Sequence, residues 1–276
     1  MHLHGHLRKL GTSHEQPVVY QLRLASAAAT QALTELPLNP LLGQHIRLHF
    51  TGRINCIHCG RSTRKSFSQG YCYPCFTRLA ECDTCLVRPE TCHYQQGTCR
   101  DPGWGQQHCF RSHLVYLANT TGLKVGITRE TGLATRWMDQ GAVAALPLFR
   151  VQDRLASGRI ESLLATELKD RTAWQAMLKN QVQPLDLVQE AQAVVARFEP
   201  VLQAMPDLDY QLLVEQPLYF EYPVLAYPDK VRSLNPEKTP CIEGQLMGIK
   251  GQYLLLDTGV INLRKHTGYE VEFSCH

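Results

Sequence analysis

Apolar residues recur at two different spacings along this chain, and the switches between them mark its elements. Pro17 to Leu24 (PVVYQLRL) and Gln44 to Phe50 (QHIRLHF) alternate, with Ile46, Leu48 and Phe50 on one side, which predicts two strands. Ala25 to Leu36 reads as a short helix or loop, and Gly52 as the end of the second strand. Leu114 to Leu117 and Lys124 to Thr128 are β-prone runs joined by the turn-forming Asn119-Thr120-Thr121-Gly122, the pattern of a hairpin. Beyond Gly132 the spacing turns helical, with Leu133, Trp137 and Met138 on one face and Arg136 beside them. Ala142 to Val151 is an apolar run of strand length that completes a small sheet with the hairpin. Arg159 to Lys169, Thr172 to Leu178 and Leu187 to Leu202 predict helices, the last stopped by Pro200 and Pro206. From Tyr210 the texture is β again, in the blocks LYFEYPVL, GQLMGIKGQYLLLD and GVINLRKH, whose glycines suit the bends of a small barrel. Both ends being strand-like, they are expected to pair into one β module with the middle of the chain inserted between them.

Composition narrows the class. With 276 residues, 44% hydrophobic and 19% charged, the chain suits two or three soluble modules with cores of their own. No apolar run approaches the roughly twenty residues that cross a bilayer. The opening MHLHGHLRKLGTSHEQ lacks the apolar centre of a signal peptide, so a cytoplasmic location and reduced thiols are expected, with His2, His4 and His6 on an unstructured, solvated end. A net charge of +3 decides nothing by itself, but its distribution does. From Leu41 to Ala80 there is no Asp or Glu, while Arg47, Arg53, Arg61, Arg64, Lys65 and Arg78 are interleaved with Phe67, Tyr71, Tyr73 and Phe76. Cations beside aromatic rings suit phosphate contact with base stacking, so nucleic acid is the expected partner, with Arg61, Arg64, Lys65 and Arg129 as candidate contacts. Solvated arginines on a small zinc module are the competing explanation.

Nine of the eleven cysteines fall between Cys56 and Cys109. Cys56-x2-Cys59 and Cys72-x2-Cys75, twelve residues apart, present four thiolates from two tight turns, the tetrahedral set that Zn²⁺ takes. A third knuckle, Cys82-x2-Cys85, follows after six residues. Its closing ligands are open among Cys92, His93, Cys99, Cys109 and His113; Cys92 and Cys99 close the smaller loop and are preferred, with Cys109 in reserve. One or two structural zinc ions are expected, each supplying folding energy on the order of 10 kcal/mol. A closed four-thiolate site leaves no position for a reacting water, so these ions are not catalysts.

The hairpin-to-helix stretch resembles the GIY-YIG nuclease core. There a tyrosine ends the first strand, a Tyr-Ile-Gly opens the second, an arginine rides the next helix and a metal-binding glutamate lies on a later one. Here Leu114-Val115-Tyr116 and Lys124-Val125-Gly126 stand for the two motifs, Arg136 for the arginine and Glu161, in RIESLLATEL, for the glutamate. Lys124 replaces the second tyrosine, as in the phage-type branch of that superfamily, and Asn180 is the nearest downstream match to the family's asparagine. The resemblance covers about sixty residues. The whole chain is also similar to an uncharacterised bacterial family with a cysteine-rich N-terminal part and a GIY-YIG-like centre, through GTCRDPGW, KVGITR and RWMDQGA.

The resemblance implies phosphodiester cleavage. Glu161 would hold one Mg²⁺ or Mn²⁺, Arg136 would grip the scissile phosphate through its fork, and Tyr116 would orient or deprotonate water. An unperturbed tyrosine, with a pKa near 10, is a weak base at neutral pH, so Lys124 or another cation would have to lower it. His113 is a further candidate, as proton shuttle or zinc ligand. Taken singly, each of these residues is as well explained by packing or solvation; their order carries the reading. The expected fold class is α+β: a GIY-YIG-like small mixed sheet with helices, preceded by a zinc-ribbon-like module and flanked by β-rich ends. The expected segments are 1–54, 55–112, 113–208 and 209–276. The function is then either a metal-dependent endonuclease aimed by its zinc module or a zinc-stabilised nucleic-acid-binding protein without cleavage.

Overall fold

The computed structural model describes every residue except Ala28, Gln31, Lys169, Asp170 and Val214, so the expected helix end at Lys169 lies outside the described residues. The chain divides into two units, one of residues 1–77, 178–180 and 221–276, the other of residues 78–177 and 181–220. The cysteine-rich stretch 55–112 is shared between them, Cys56 to Cys75 falling in the first and Cys82 to Cys109 in the second.

The first unit begins with strands β1 (His2–Leu7), β2 (Gly11–Ser13), β3 (Val19–Ala25), β4 (Leu33–Pro37) and β5 (His45–Ile54), and α1 (Tyr73–Arg78) follows. Alternation works as expected in β5, whose Ile46, Leu48 and Phe50 are buried while His45 and Arg47 are exposed. Three expectations change. The expected helix or loop from Ala25 to Leu36 ends in strand β4, which pairs with β3 from Gln21↔Pro37 to Ala25↔Leu33. His2, His4 and His6 lie in β1, not on a loose end, because β14 of the same sheet supplies partners from His2↔Ser274 to His6↔Glu270. Gly52 does not end β5: at φ +88° it sits in a bulge, where pairing with β14 shifts register between Tyr269 and Val271. The extra length lets Thr51 and Arg53 both reach the Glu270 carboxylate.

In the second unit come α2 (Pro102–His108), β6 (His113–Asn119), β7 (Leu123–Arg129), α3 (Leu133–Asp139), β8 (Ala144–Val151), α4 (Arg154–Leu164), α5 (Trp174–Leu178), α6 (Leu187–Gln203), β9 (Tyr210–Leu212) and β10 (Leu218–Tyr219). The sheet runs β10-β8-β6-β7, with β9 added on β8, and its pairings are antiparallel. Val115, Leu117, Val125, Ile127, Leu146 and Leu148 form its apolar face, onto which Ile160 and Leu164 of α4 and Val194, Phe198 and Leu202 of α6 pack. The α4 helix starts earlier than its apolar period suggested, because the Asp153 carboxylate accepts the Ala156 N–H and caps it. Pro200 lies inside α6, one turn from its end. Its missing N–H sacrifices one backbone hydrogen bond, and Ala204 N–H still donates to the Pro200 carbonyl.

The chain then returns to the first unit as β11 (Cys241–Lys250), β12 (Tyr253–Leu256), β13 (Gly259–Asn262) and β14 (Tyr269–Cys275). The nine-stranded sheet runs β13-β12-β11-β5-β14-β1-β3-β2, with β4 on β3, and curls into a half-barrel. The two ends of the chain thus interleave in one sheet. No helix among the described residues is long and apolar enough to cross a membrane.

His266 reports on this unit's integrity. It is 4% exposed, lies edge-on to Tyr269 at 4.9 Å, and burial holds its pKa down at about 4. Between the unfolded value of about 6.5 and this one, the unfolded chain takes up a proton that the native state refuses. Stability should therefore fall as pH drops from about 6.5 towards 4. Urea midpoints across this range should decline less steeply for His266→Gln than for the parent; parallel slopes would show that His266 does not contribute.

Candidate functional site

Two hydrogen-bonded turns build the first metal cluster. The Gly60 N–H donates to the Cys56 carbonyl at 2.9 Å, with Gly60 at φ +75°, and the Ile57 N–H donates to the Gly70 carbonyl at 2.8 Å. Cys72 immediately precedes α1 and Cys75 lies in its first turn. The four thiols, Cys56, Cys59, Cys72 and Cys75, have sulfurs within 4.8 Å of one another, and Cys59 and Cys72 are 3.7 Å apart. A regular tetrahedron with Zn–S bonds of 2.3 Å has S···S edges of about 3.8 Å, so the sulfurs stand where a zinc ion needs them. Burial opposes ionisation of Cys56, but the backbone N–H groups of Cys59, Cys72 and His58 outweigh it and bring its pKa to about 7. Burial raises Cys72 and Cys75. The donor set fits a structural ion such as zinc.

Around the third knuckle the arrangement departs from its spacing. Cys85, Cys92, Cys99 and Cys109 line one cavity, together with Asp83 and His93, while Cys82 is buried and does not line it. Asp83, Cys85 and His93 also place donor atoms within 4.8 Å of each other. Asp83 is already engaged, by Arg100 at 3.0 Å and by His93 at 3.3 Å.

The acid-free stretch sorts into two groups. Arg53 is paired with Glu270, and Arg47 lies 3.9 Å from Glu243. Arg61, Arg64 and Lys65 are exposed. Lys65 Nζ sits over the Phe67 ring at 5.6 Å, and Phe67 meets Phe76 face-on at 5.6 Å and Tyr73 edge-on at 5.5 Å. Tyr73 itself is 59% exposed. Arg129 is exposed at the end of β7, in the other unit.

Tyr116 lies at the centre of the second constellation. In register it faces Gly126 of the edge strand β7. A Cβ on Gly126 would fall 2.5 Å from the tyrosine oxygen, so the glycine makes the room in which the ring lies. Trp137 of α3 packs edge-on at 5.8 Å, and Tyr116 is fully buried. Its hydroxyl accepts from Gln140 Nε2 at 2.5 Å, and Arg136 also hydrogen-bonds it. Burial raises the Tyr116 pKa; Arg136 and Gln140 pull it down, and Glu161 is close enough to push it up again. Arg136 therefore meets the Tyr116 hydroxyl, with Glu161 in electrostatic reach, round a closed phenol. Lys124 shares the Tyr116 face of the hairpin by strand alternation and is 5% exposed. His113 falls on the opposite face, fully buried. Its Nδ1–H donates to the Arg111 carbonyl at 2.7 Å, and burial lowers its pKa. Asn180 belongs to the other unit, where it accepts from Lys250 at 2.8 Å.

Sequence reasoning missed Gln140 and Arg154. Gln140 stands one helical turn after Arg136, and that i, i+4 spacing was the available signal. Arg154 donates to the Leu86 carbonyl at 2.6 Å and lies within electrostatic reach of Arg136 and Glu161; nothing in its local pattern marks it. Because the Tyr116 ring occupies the Cβ position of residue 126, Gly126→Ala should destabilise the protein by about 1–3 kcal/mol. Denaturant unfolding measures this, and an unchanged midpoint would mean that the ring can swing away freely.

No curated protein and no solved structure matches the chain. A family model does match, over residues 43–271, under the description protein of unknown function (DUF2797). The match spans well over half of the sequence, and the chain belongs to that family.

Proposed function

We propose that this protein is a zinc-stabilised nucleic-acid-binding protein that makes contact through the surface of its first cysteine cluster. The observation that carries this reading is the group Lys65, Phe67 and Tyr73, an exposed ring held by its neighbours with a cation over the next ring. Metal-crosslinked turns fix such a ring at little entropic cost on binding, and stacking favours unpaired bases. Arg61 and Arg64 supply phosphate contacts beside it. Affinity should fall steeply as salt rises, because bound cations are released from the nucleic acid. Charge reversal at Arg61, Arg64 and Lys65 together should weaken binding of a labelled single-stranded oligonucleotide at least tenfold with the thermal midpoint retained. Equal binding by parent and variant at low salt would remove the reading.

A second reading is favoured by a specific observation, the hydrogen bond of Arg136 to the Tyr116 hydroxyl with Glu161 in electrostatic reach. On it the second unit is a GIY-YIG-type core, in which Glu161 offers a carboxylate to Mg²⁺ or Mn²⁺ and Arg136 holds a phosphate. The full burial of Tyr116 and its raised pKa weigh against it acting as a base without a conformational opening. Incubation of DNA and RNA with Mn²⁺ separates the two readings. Cleavage that Glu161→Gln abolishes, and that Arg136→Ala lowers roughly 10²–10³-fold, selects the nuclease. Binding without cleavage by the parent protein selects the first reading.

A further inference from the structure

We propose that the second unit holds its own metal ion on Cys85, Cys92, Cys99 and Cys109, a ligand set that omits Cys82 and uses Cys109, which stands at the C-terminal end of α2. The segment that carries these thiols has little else to hold it. Between Ala80 and Gln96 it consists of single 3₁₀ turns, followed by the seven-residue α2. Its buried residues from 80 to 110 are Ala80, Cys82, Asp83, Pro89 and Gly105, too little apolar area for a core.

Four cysteines from separate points of this segment, Cys85, Cys92, Cys99 and Cys109, line one cavity of about 20 Å³. One water-sized probe sphere takes up roughly 10–15 Å³, so the space suits a single ion or atom. Gly105 packs against this cavity: a Cβ there would crowd the Tyr94 ring at 3.3 Å and stand in ordinary contact with Cys99 Sγ at 3.5 Å. Four thiolates around one divalent cation is a donor set that Zn²⁺ prefers.

The competing set, Asp83 with Cys85 and His93, is disfavoured by its own partners. The Asp83 carboxylate is bound by the Arg100 guanidinium at 3.0 Å, a fixed positive charge where a second cation would have to sit. Both His93 nitrogens are engaged, Nε2 with Asp83 at 3.3 Å and Nδ1 with Thr98 Oγ1 at 2.8 Å. This group instead has the character of an outer shell that braces the thiolate site. Four thiolates and one Zn²⁺ carry a net charge of −2, and Arg154, within electrostatic reach of Cys85 and Cys109, offsets part of it.

The site is joined to the sheet of the second unit. The Arg154 N–H donates to the Cys109 carbonyl at 2.9 Å, and Nη2 donates to the Leu86 carbonyl at 2.6 Å. A Cβ on Gly158 would come within 2.5 Å of Pro89, so α4 lies directly on the turn between Cys85 and Cys92. The ion therefore sets the position of α4.

Metal content of the full chain, by elemental analysis and native mass spectrometry, should be two zinc ions. Cys109→Ser should hold one, whereas Cys82→Ser and His93→Gln should hold two. Where Cys109→Ser does not fold, replacing zinc by Co²⁺ in the parent protein gives an independent reading. Two equivalents of Co²⁺ should each add a thiolate-to-cobalt absorption of equal intensity, since each binds four sulfurs. One ion in the parent, a second cobalt band of about a quarter of the first, or loss of an ion from Cys82→Ser would overturn the assignment.

Discussion

The packing of four sulfurs at tetrahedral spacing is the constraint on which the middle of this chain depends. Residues 55–77 bury few side chains apart from Cys56, Cys72 and Cys75, and the turns that carry them are fixed by a handful of backbone hydrogen bonds. Thiols crowded to 3.7 Å repel one another once ionised, so the geometry becomes favourable when a cation neutralises them. The exposed Tyr73 ring, the Lys65 cation above Phe67 and the path of the chain from β5 into α1 all inherit their positions from that cluster.

The second unit obeys a different logic. Its sheet has a conventional apolar face, covered by α4 and α6. Its other face holds Tyr116 and Lys124, both buried, and there polar groups must find partners inside the protein. Gln140 and Arg136 provide them for the tyrosine hydroxyl. A phenol satisfied in this way is rigid and neutral, which suits a structural keystone as well as it suits a site waiting to be opened.

Much of this was legible from residue spacing. The hairpin and the strand after it follow from short β-prone runs bounded by turn residues, because both faces of β6 and β8 are buried, and α6 follows from its helical period. The first cysteine cluster follows from two identical knuckles. What spacing could not supply is three-dimensional. Histidines occupy alternate positions of β1, so its pattern is not apolar, and only its partner β14 identifies it as a strand. Gly52 reads as a stop because a bulge and a strand end ask for the same residue. Knuckle spacing pairs Cys82 with Cys85, and loop length prefers Cys92 and Cys99 to Cys109, whereas Cys109, at the end of α2, lines one cavity with Cys85, Cys92 and Cys99 and Cys82 does not.

The place of β5 has a consequence for how the protein is made. Its neighbours are β11 and β14, whose codons are read about two hundred residues later. The strands of the second sheet, by contrast, lie within residues 113–219 and emerge from the ribosome consecutively. During synthesis the second unit can therefore pair its strands while β5 still presents two open edges, a state in which exposed backbone invites pairing with other chains. The intervening length adds little to the cost of closing the sheet, since loop entropy grows only by about 0.6 kcal/mol per doubling. The penalty is one of time, and His45, Arg47 and His49 give the waiting strand a polar face of the kind that discourages edge pairing.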